Sequence, residues 1–215
     1  QPALSSMTTQ QAWCRVTLYN PTVLKVGGTY KMWYLGNRSR TRISDMDLGY
    51  ATSDDGLHWT EHPDNPILIG DGLPETYCWQ TPHVIFDPDE NRYRMWFIMS
   101  TSQRDDRGVQ ISYAQQLGYA ESPDGLSWKV HPEPLYPSGR RPCVLKDSPT
   151  AYRMWMNSAP EPDGEFGSLA GNIYRFTSSD GLTWTRDPEP VVIAEGAFRS
   201  VVYPFVLKHD TGYIM

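Results

Sequence analysis

The sequence has no long apolar run and no excess of positive charge. No hydrophobic stretch approaches the ~20 residues that a membrane-crossing helix needs, and no basic segment followed by an apolar one opens the chain. The 215 residues include 19 Lys and Arg against 25 Asp and Glu, a formal net charge of −6. Since nucleic-acid surfaces need clustered cations, we expect neither nucleic acid nor a membrane as partner. The compartment stays open between cytoplasmic and secreted.

Cysteine is scarce, and helical periodicity is missing. Cys14, Cys78 and Cys143 form no Cys-x-x-Cys pair, which favours small buried thiols over a metal knuckle. Glycine-rich phosphate loops, Ser-His-Asp spacing and metal-ligand clusters are absent as motifs, so we expect no metal and no cofactor. No segment keeps a helical apolar period over about ten residues. With 39% hydrophobic and 13% aromatic residues, the chain can still bury a core, and the pattern favours an all-β protein.

One repeated unit fills most of the chain. Each copy opens with Pro and a β-branched run, at Pro21, Pro82, Pro142 and Pro204. A Met-Trp segment follows, and then an Asp-Gly-Leu turn that leads to Trp, in GYATSDDGLHW, GYAESPDGLSW and YRFTSSDGLTW. Such runs predict strands, and Asp-Gly between them is typical of a hairpin. The unit therefore predicts four antiparallel strands, A to D, and the fold class is all-β, a β-propeller with four-stranded blades.

The repeat also sets the boundaries of the blades. We assign residues 1–215 to one propeller domain, with blades near 21–68, 82–136 and 142–193 and a partial blade at 204–215. The opening QPAL matches the NPIL that closes the first unit, so we expect the tail of a preceding blade there. Three full blades with partial blades at both ends indicate a fragment or an incomplete ring of a five-bladed propeller. An unpaired edge in a partial blade favours self-association.

The motifs YRMW, GYA, DG with Trp, and NP with Leu, in this order, resemble the five-bladed propellers of glycoside hydrolase families 32, 43 and 68, including uncharacterised bacterial relatives. The resemblance covers nearly the whole chain, and its motifs are mostly structural. It implies an axial funnel with three carboxylates at the starts of the innermost strands: a nucleophile or base, an acid and an orienting Asp. This chain departs from that pattern, because no acidic residue precedes the four prolines, where it has Asn20, Thr81, Arg141 and Tyr203. The triad therefore cannot be transferred residue by residue.

Loops of variable length supply other carboxylates. The strand order places the B–C and D–A loops on one face, and sites on rigid scaffolds concentrate in such loops. Glycoside hydrolysis needs two carboxyl groups ~5 to 9 Å apart. On this basis we predict Glu75, Glu195 and Asp47 as catalytic residues. The alternative for each is a solvated loop residue or a structural ion pair.

Side-chain alternation along strand A suggests the binding residues. Val recurs two residues after each proline, which indicates packing, so the residues flanking the proline should face the axis. We expect ligand contacts from Asn20 and His83, and stacking of Trp79 on a sugar ring. Arginine suits the capture of planar anions, which adds Arg140, Arg141 and Arg199. The alternatives are an inner histidine with a structural hydrogen bond and arginines paired with loop carboxylates.

Together these features predict a carbohydrate-active protein, a glycoside hydrolase that acts on a sugar terminus in the funnel. The ligand would be a carbohydrate, with an anionic group if the arginines contact it. A non-catalytic carbohydrate-binding propeller is the alternative, favoured by the missing acidic residues before the prolines. A protein-interaction propeller that uses the variable loops is a further alternative. The enzyme hypothesis depends on resemblance of fold, and one fold hosts many functions.

Overall fold

The repeated units form antiparallel sheets whose strands lie in chain order. The structure, a computed structural model, describes residues 3–37, 46–70, 77–104, 110–158, 171–196 and 201–215. Blade 1 contains β1 (Thr17–Val26), β2 (Thr29–Asn37), β3 (Asp47–Ser53) and β4 (Thr60–Glu61). Blade 2 contains β5 (Tyr77–Asp87), β6 (Arg92–Arg104), β7 (Gln110–Ser122) and β8 (Lys129–Val130). Blade 3 contains β9 (Arg140–Ser148), β10 (Ala151–Ser158), β11 (Asn172–Ser178) and β12 (Thr185–Arg186).

A fourth, two-stranded sheet consists of β13 (Leu207–His209) and β14 (Gly212–Ile214), and we call it blade 4. The expected all-β fold with four-stranded antiparallel blades is therefore confirmed. The helical structure in the described part of the chain is one 3-10 turn, Ala12–Cys14. Within those same ranges, no helix is long and apolar enough to cross a membrane.

The Asp-Gly-Leu phrase is a turn that satisfies its own backbone. In blade 2 the N–H of Gly125 donates to Ser122 Oγ (2.8 Å), and the N–H of Leu126 donates to Asp124 Oδ1 (2.8 Å). Gly125 has φ of 82°, a region that favours glycine. Backbone bonds from Ser127 and Leu126 to the carboxylate outweigh its partial burial and lower the pKa of Asp124 to about 2. Blades 1 and 3 repeat the same bonds, so the phrase is a structural turn.

Tryptophans join the turns of blades 2 and 3 to the preceding blade. Trp33 of blade 1 donates from Nε1 to the carbonyl oxygen of Gly125 in blade 2 (2.7 Å). Trp96 of blade 2 donates in the same way to Gly181 of blade 3 (2.9 Å). Each glycine oxygen also accepts a bond from the tryptophan of its own turn, such as Trp128 (3.1 Å). The repeated phrase therefore fixes both the hairpin and the spacing between blades.

The core lies between the faces of neighbouring blades. Between blades 1 and 2, Trp33 and Leu48 pack with Met95 and Phe97, and all four are 0% exposed. An equivalent cluster centred on Trp96 lies between blades 2 and 3. Blades 1, 2 and 3 therefore bury faces against their neighbours, as the predicted repeat architecture requires.

The outward face of blade 1 is covered by the N-terminal segment. The Trp13 ring packs 5.6 Å from the Tyr34 ring, between centroids. A Cβ atom on Gly36 or Gly49 would lie 2.4 Å from the Trp13 ring, so both positions must lack a side chain. Residues 3–16 contain no strand. Gln1 and Pro2 of the QPAL segment lie outside the described residues, so the expected tail of a preceding blade stays a prediction.

Candidate functional site

The first strand of blades 1, 2 and 3 carries the same irregularity at its proline. In blade 1, Asn20 and Pro21 together face a single residue of β2, because the register shifts between Tyr19 and Thr22. Equivalent shifts occur in β5 and β9. The residue before the proline has positive φ in all four blades: Asn20 (52°), Thr81 (45°), Arg141 (55°) and Tyr203 (64°). Residues other than glycine rarely adopt this conformation, and the strain persists only where the surroundings impose it.

These four residues, which we call the bulge residues, line one cavity of about 520 Å³. The strands that carry them lie side by side, since β5 contacts both β1 and β9, so the cavity follows the axis around which the blades are arranged. We call it the axial cavity. Its walls otherwise consist mainly of the strand prolines and aliphatic side chains. The described lining residues include no carboxylate, in contrast to the funnel carboxylates that the family resemblance implied.

In blades 1, 2 and 3 the residue after the proline bonds to the next blade. In each case the partner is the backbone of the valine two residues after that blade's proline. Thr22 Oγ1 accepts from Val84 N–H (3.3 Å), His83 Nε2 donates to the Val144 oxygen (2.9 Å), and Cys143 Sγ accepts from Val206 N–H (3.3 Å). These positions therefore connect the blades around the axis. Different side chains therefore make the same connection in successive blades.

His83 lines the axial cavity but is engaged in this connection. Its Nε2 must carry a proton to donate to the Val144 carbonyl oxygen, which leaves Nδ1 as an acceptor. Burial lowers the pKa of His83 to about 4 against the opposing effect of that bond, so the ring is neutral at pH 7. This position agrees with the alternative expectation, an inner histidine with a structural hydrogen bond.

The two adjacent arginines have different environments. Arg140 bonds through Nε to Gln115 Oε1, and Gln115 Nε2 in turn donates to Gln80 Oε1 (2.9 Å). Gln115 is 2% exposed, and no sequence pattern marked it as a partner of Arg140. Arg141 instead places its guanidinium 3.5 Å from the centroid of the Tyr203 ring, and Nη2 donates to the Tyr203 hydroxyl (2.7 Å). Arg141 lines the axial cavity.

Two of the predicted catalytic carboxylates, Asp47 and Glu195, lie towards the edge of the sheets where β1, β5 and β9 begin, which we call the loop edge. Asp47 is the first residue of β3, is 8% exposed, and accepts a bond from the N–H of Gly70 (2.9 Å). Glu195 is exposed and follows β12. Neither lines the axial cavity. Glu75 and Arg199 lie outside the described residues, so the catalytic set stays a prediction.

Trp79 does not occupy the position expected of a sugar platform. It is 1% exposed and its ring centroid lies 4.0 Å from that of Phe97, inside the core between blades 1 and 2. Its ring faces are therefore covered by protein. Tyr203 is 57% exposed and lines the axial cavity. The signal for Tyr203 was its position before Pro204, which it shares with the other bulge residues.

Metal binding finds no support in the described ranges, which hold no group of three or more His, Cys, Asp or Glu side chains placed to bind an ion. The two cysteines whose side chains are described, Cys14 and Cys143, are free and buried, as expected.

Comparisons with known proteins agree with the fold. No protein-family model matches the chain. An uncharacterized protein of Mycobacterium tuberculosis is 27% identical over 203 residues, which cover 87% of this chain and 62% of that protein. A second uncharacterized protein of that species is 34% identical over 116 residues, 53% of this chain and 34% of its own length. The chain thus spans less than two thirds of these curated relatives.

Solved structures of the same fold include glycoside hydrolases. A family 32 β-fructofuranosidase from Bombyx mori has a TM-score of 0.63 at 15% identity, over 91% of this chain and 40% of that enzyme. An exo-inulinase from Aspergillus awamori has a TM-score of 0.61 at 20% identity, over 83% of this chain and 37% of that enzyme. The protein BT0996, solved as an RGII complex, has a TM-score of 0.72 at 18% identity, over 94% of this chain and 65% of that protein. The chain therefore has the propeller fold of these glycoside hydrolases, which confirms the resemblance at the level of fold.

Proposed function

We propose that the protein binds a carbohydrate in the axial cavity of a five-bladed propeller of the glycoside hydrolase type, of bacterial origin like the curated relatives. One observation carries the proposal: four strained bulge residues, from four successive blades, converge on one cavity. Strain held at equivalent positions with four different side chains favours a role in recognition over one in packing. The volume of about 520 Å³ falls within the range of small-molecule sites, roughly 300 to 1,000 Å³.

The bulge residues suit a sugar because they offer neutral polar groups above apolar walls. Asn20 supplies an amide and Thr81 a hydroxyl whose Oγ1 is buried without a hydrogen-bond partner among the described residues. A buried polar atom without a hydrogen bond destabilises the folded protein. A ligand hydroxyl that bonds to Thr81 Oγ1 would remove this cost. Tyr203 adds an exposed aromatic ring at the cavity, which can pack against the face of a pyranose.

Two asparagines with the same backbone conformation allow a matched test. Asn20 has φ of 52° and lines the cavity, whereas Asn91 has φ of 49° in the β5–β6 turn, away from it. Changing either one to Ala adds similar backbone strain. Isothermal titration with a panel of neutral and acidic monosaccharides should show weaker binding for Asn20→Ala only. Absence of binding to any sugar by the wild type, or equal loss in both variants, would reject the site.

Hydrolysis of a glycosidic bond by loop carboxylates is the second candidate function. It is favoured by Asp47, whose carboxylate is nearly buried at the loop edge with one backbone donor. We propose Glu75, Glu195 and Asp47 as the acid, base and orienting groups, because the strand order predicts that their loops lie on one face of the propeller. Fold neighbours named as a β-fructofuranosidase and an exo-inulinase support this candidate.

Aryl glycosides provide the assay for hydrolysis. If these carboxylates act in catalysis, Glu75→Gln, Glu195→Gln and Asp47→Asn should each lower kcat by more than about a hundredfold, while the exposed control Glu133→Gln should not. Unchanged activity in the three variants would reject the catalytic assignment. Saccharide binding without turnover in the wild type would leave the non-catalytic alternative.

Two further expectations belong to the proposal. An anionic group on the carbohydrate would contact arginine, with Arg140, Arg141 and Arg199 as the candidates. Self-association through blade 4 is supported by β14, which pairs only with β13 among the described strands and so leaves one edge open. Light scattering coupled to size-exclusion chromatography tests it, and a monomer at all concentrations would contradict it.

A further inference from the structure

We propose that Arg141, held in place by Tyr203, recognises a monoanionic substituent of the sugar, a carboxylate or a sulfate ester. The inference rests on the proposed binding of a carbohydrate in the axial cavity. Of the candidate arginines, it assigns the contact with the anion to Arg141. It also gives a positioning role to Tyr203, which was not among the predicted binding residues.

The Arg141–Tyr203 pair is ordered before any ligand arrives. The guanidinium lies 3.5 Å from the centroid of the Tyr203 ring, and Nη2 donates to the hydroxyl of the same residue (2.7 Å). Stacking and hydrogen bonding together fix a side chain that otherwise has many rotamers. A ligand anion would then meet an arginine whose conformational entropy is already lost, which favours binding.

The charge of the cavity lining also favours an anion. Among the described residues that line the axial cavity, Arg141 is the single side chain with a permanent charge, and none is a carboxylate. His83, the other ionisable base there, is neutral at pH 7 because burial lowers its pKa to about 4. The cavity lining therefore carries one positive charge in a protein of net charge −6. One positive charge is balanced by a ligand group with one negative charge.

Two of the arginines that lie over tyrosines also have an acidic partner. Arg94 lies over Tyr152 and forms an ion pair with Asp87 through Nε (3.3 Å). Arg153 lies over Tyr213 and pairs with Asp147 through Nε (2.9 Å). Arg141 has the same stacking, but the described residues give it no acidic partner, and its buried Nε, like that of Arg94, makes no hydrogen bond to them. A ligand anion would supply the partner that Asp87 and Asp147 provide for Arg94 and Arg153.

Arg140 cannot take this role in the same way. Its Nε is bonded to Gln115, which is buried and further fixed by Gln80 and Ser100. Arg140 is also absent from the lining of the axial cavity. Of the two neighbours in sequence, one is thus tied into an amide network between blades 2 and 3, and the other is presented to the cavity.

The experiment measures affinity for matched sugars by isothermal titration. The probes are the methyl glycosides of glucose and galactose, the corresponding uronic acids, and the corresponding 6-sulfates. The wild type should bind one class of charged sugar at least about tenfold more tightly than the neutral parent, as one charge-assisted hydrogen bond allows. Which class is preferred identifies the substituent, and the preference should fall as salt is raised.

Substitutions test whether Arg141 and Tyr203 cause the preference for charged over neutral sugars. Arg141→Gln should abolish the preference, so that this variant binds the charged and the neutral sugar of each matched set with about equal affinity. Arg141→Lys should retain part of it, and Tyr203→Leu should reduce it by releasing the guanidinium. The control is Arg186→Gln, since Arg186 lies 4.2 Å from the Tyr174 ring centroid outside the cavity, and it should keep the full preference. A thermal melt of each variant verifies folding.

The possible results distinguish the recognition of an anion by Arg141 from the proposed binding of a carbohydrate. Equal affinity for neutral and charged sugars, or a preference that survives in Arg141→Gln, would overturn the inference and leave carbohydrate binding intact. Absence of binding to every probe by the folded wild type would overturn both.

Discussion

Asp87 is the centre of a buried ion-pair network between blades 2 and 3, and Asp87→Asn should destabilise the protein by about 3 kcal/mol. The side chain is 0% exposed. It accepts bonds from Lys146 Nζ and from the Tyr152 hydroxyl (2.9 Å), and it pairs with Arg94 Nε (3.3 Å). Lys146 and Arg94 are themselves only 9% and 8% exposed. The variant therefore leaves two nearly buried cations short of one negative charge.

The magnitude follows from the burial of all three charges. Breaking a buried ion pair by removing one partner costs about 3–5 kcal/mol, because the remaining charge is left uncompensated. The lower end applies here, since Asp89 still pairs with Lys146 (2.7 Å) and Glu90 with Arg94 (2.8 Å).

Asp147 offers a matched control at the same position of the next blade. It pairs with Arg153 and Lys208, but these side chains are 37% and 62% exposed. Water screens such pairs, so Asp147→Asn should cost only about 1 kcal/mol or less. The comparison isolates burial, because both aspartates lie at the end of the first strand of a blade and bond to a tyrosine of the following one.

Urea denaturation followed by fluorescence gives both free energies of unfolding. Burial alone would raise the pKa of Asp87, but the bonds from Lys146 and Tyr152 outweigh it and the pKa is lowered from 3.8. The stability that this carboxylate contributes is therefore full above its unfolded pKa and is lost as pH falls through the folded value. The difference between wild type and Asp87→Asn should shrink below pH ~4. A cost no larger than that of Asp147→Asn, or one unchanged between neutral and acid pH, would refute the reasoning.

Three further predictions concern the frame of the blades. Trp33→Phe removes the donor to the Gly125 oxygen and should lower the free energy of unfolding by about 1 kcal/mol in urea titrations; unchanged stability would show that the bond contributes nothing. Gly49→Ala sets a Cβ atom 2.4 Å from the Trp13 ring and should cost about 1–3 kcal/mol. That cost should shrink in a Trp13→Ala background, where only the Tyr34 ring at 2.9 Å remains in the way, and strict additivity of the two changes would contradict the contact. Asp124→Ala should lower the melting temperature at pH 7, and the deficit should narrow as pH falls towards 2, because the pKa of Asp124 is about 2 in the folded state; a deficit independent of pH would count against it.

The turns and strands could be predicted because their causes are local. Ser122 and Asp124 bond to backbone groups within three residues, so the tripled phrase is sufficient to specify a hairpin. Burial of the recurring valine was predicted in part. Val84 and Val144 are 0% exposed, but Val23 is 46% exposed, since no described blade covers its side of blade 1. Local pattern specified the strand, and the neighbouring blade decided its burial.

The candidate site was less predictable because it depends on an irregular backbone. Simple alternation holds for a regular strand, whereas Asn20 and its equivalents lie in bulges with positive φ, where two residues face one. Side-chain alternation along the first strand of each blade predicted that Asn20, His83 and Arg141 face the axis, and all three line the axial cavity. It could not foresee that Trp79 turns into the core, since an indole fits a core and a sugar platform equally well.

The sequence by itself determined the period, the four-stranded unit and the turn that closes it, because these follow from interactions among residues close along the chain. Only the tertiary structure decided which polar groups are engaged and which face the axis. His83 and Val144 are 61 residues apart, yet their hydrogen bond assigns the histidine to the frame. Arg140 and Arg141 are adjacent, yet one is bound by a buried glutamine of blade 2 and the other rests on a tyrosine next to blade 4. Such partners come into contact only when the blades assemble around a common axis, so the local sequence pattern cannot predict them.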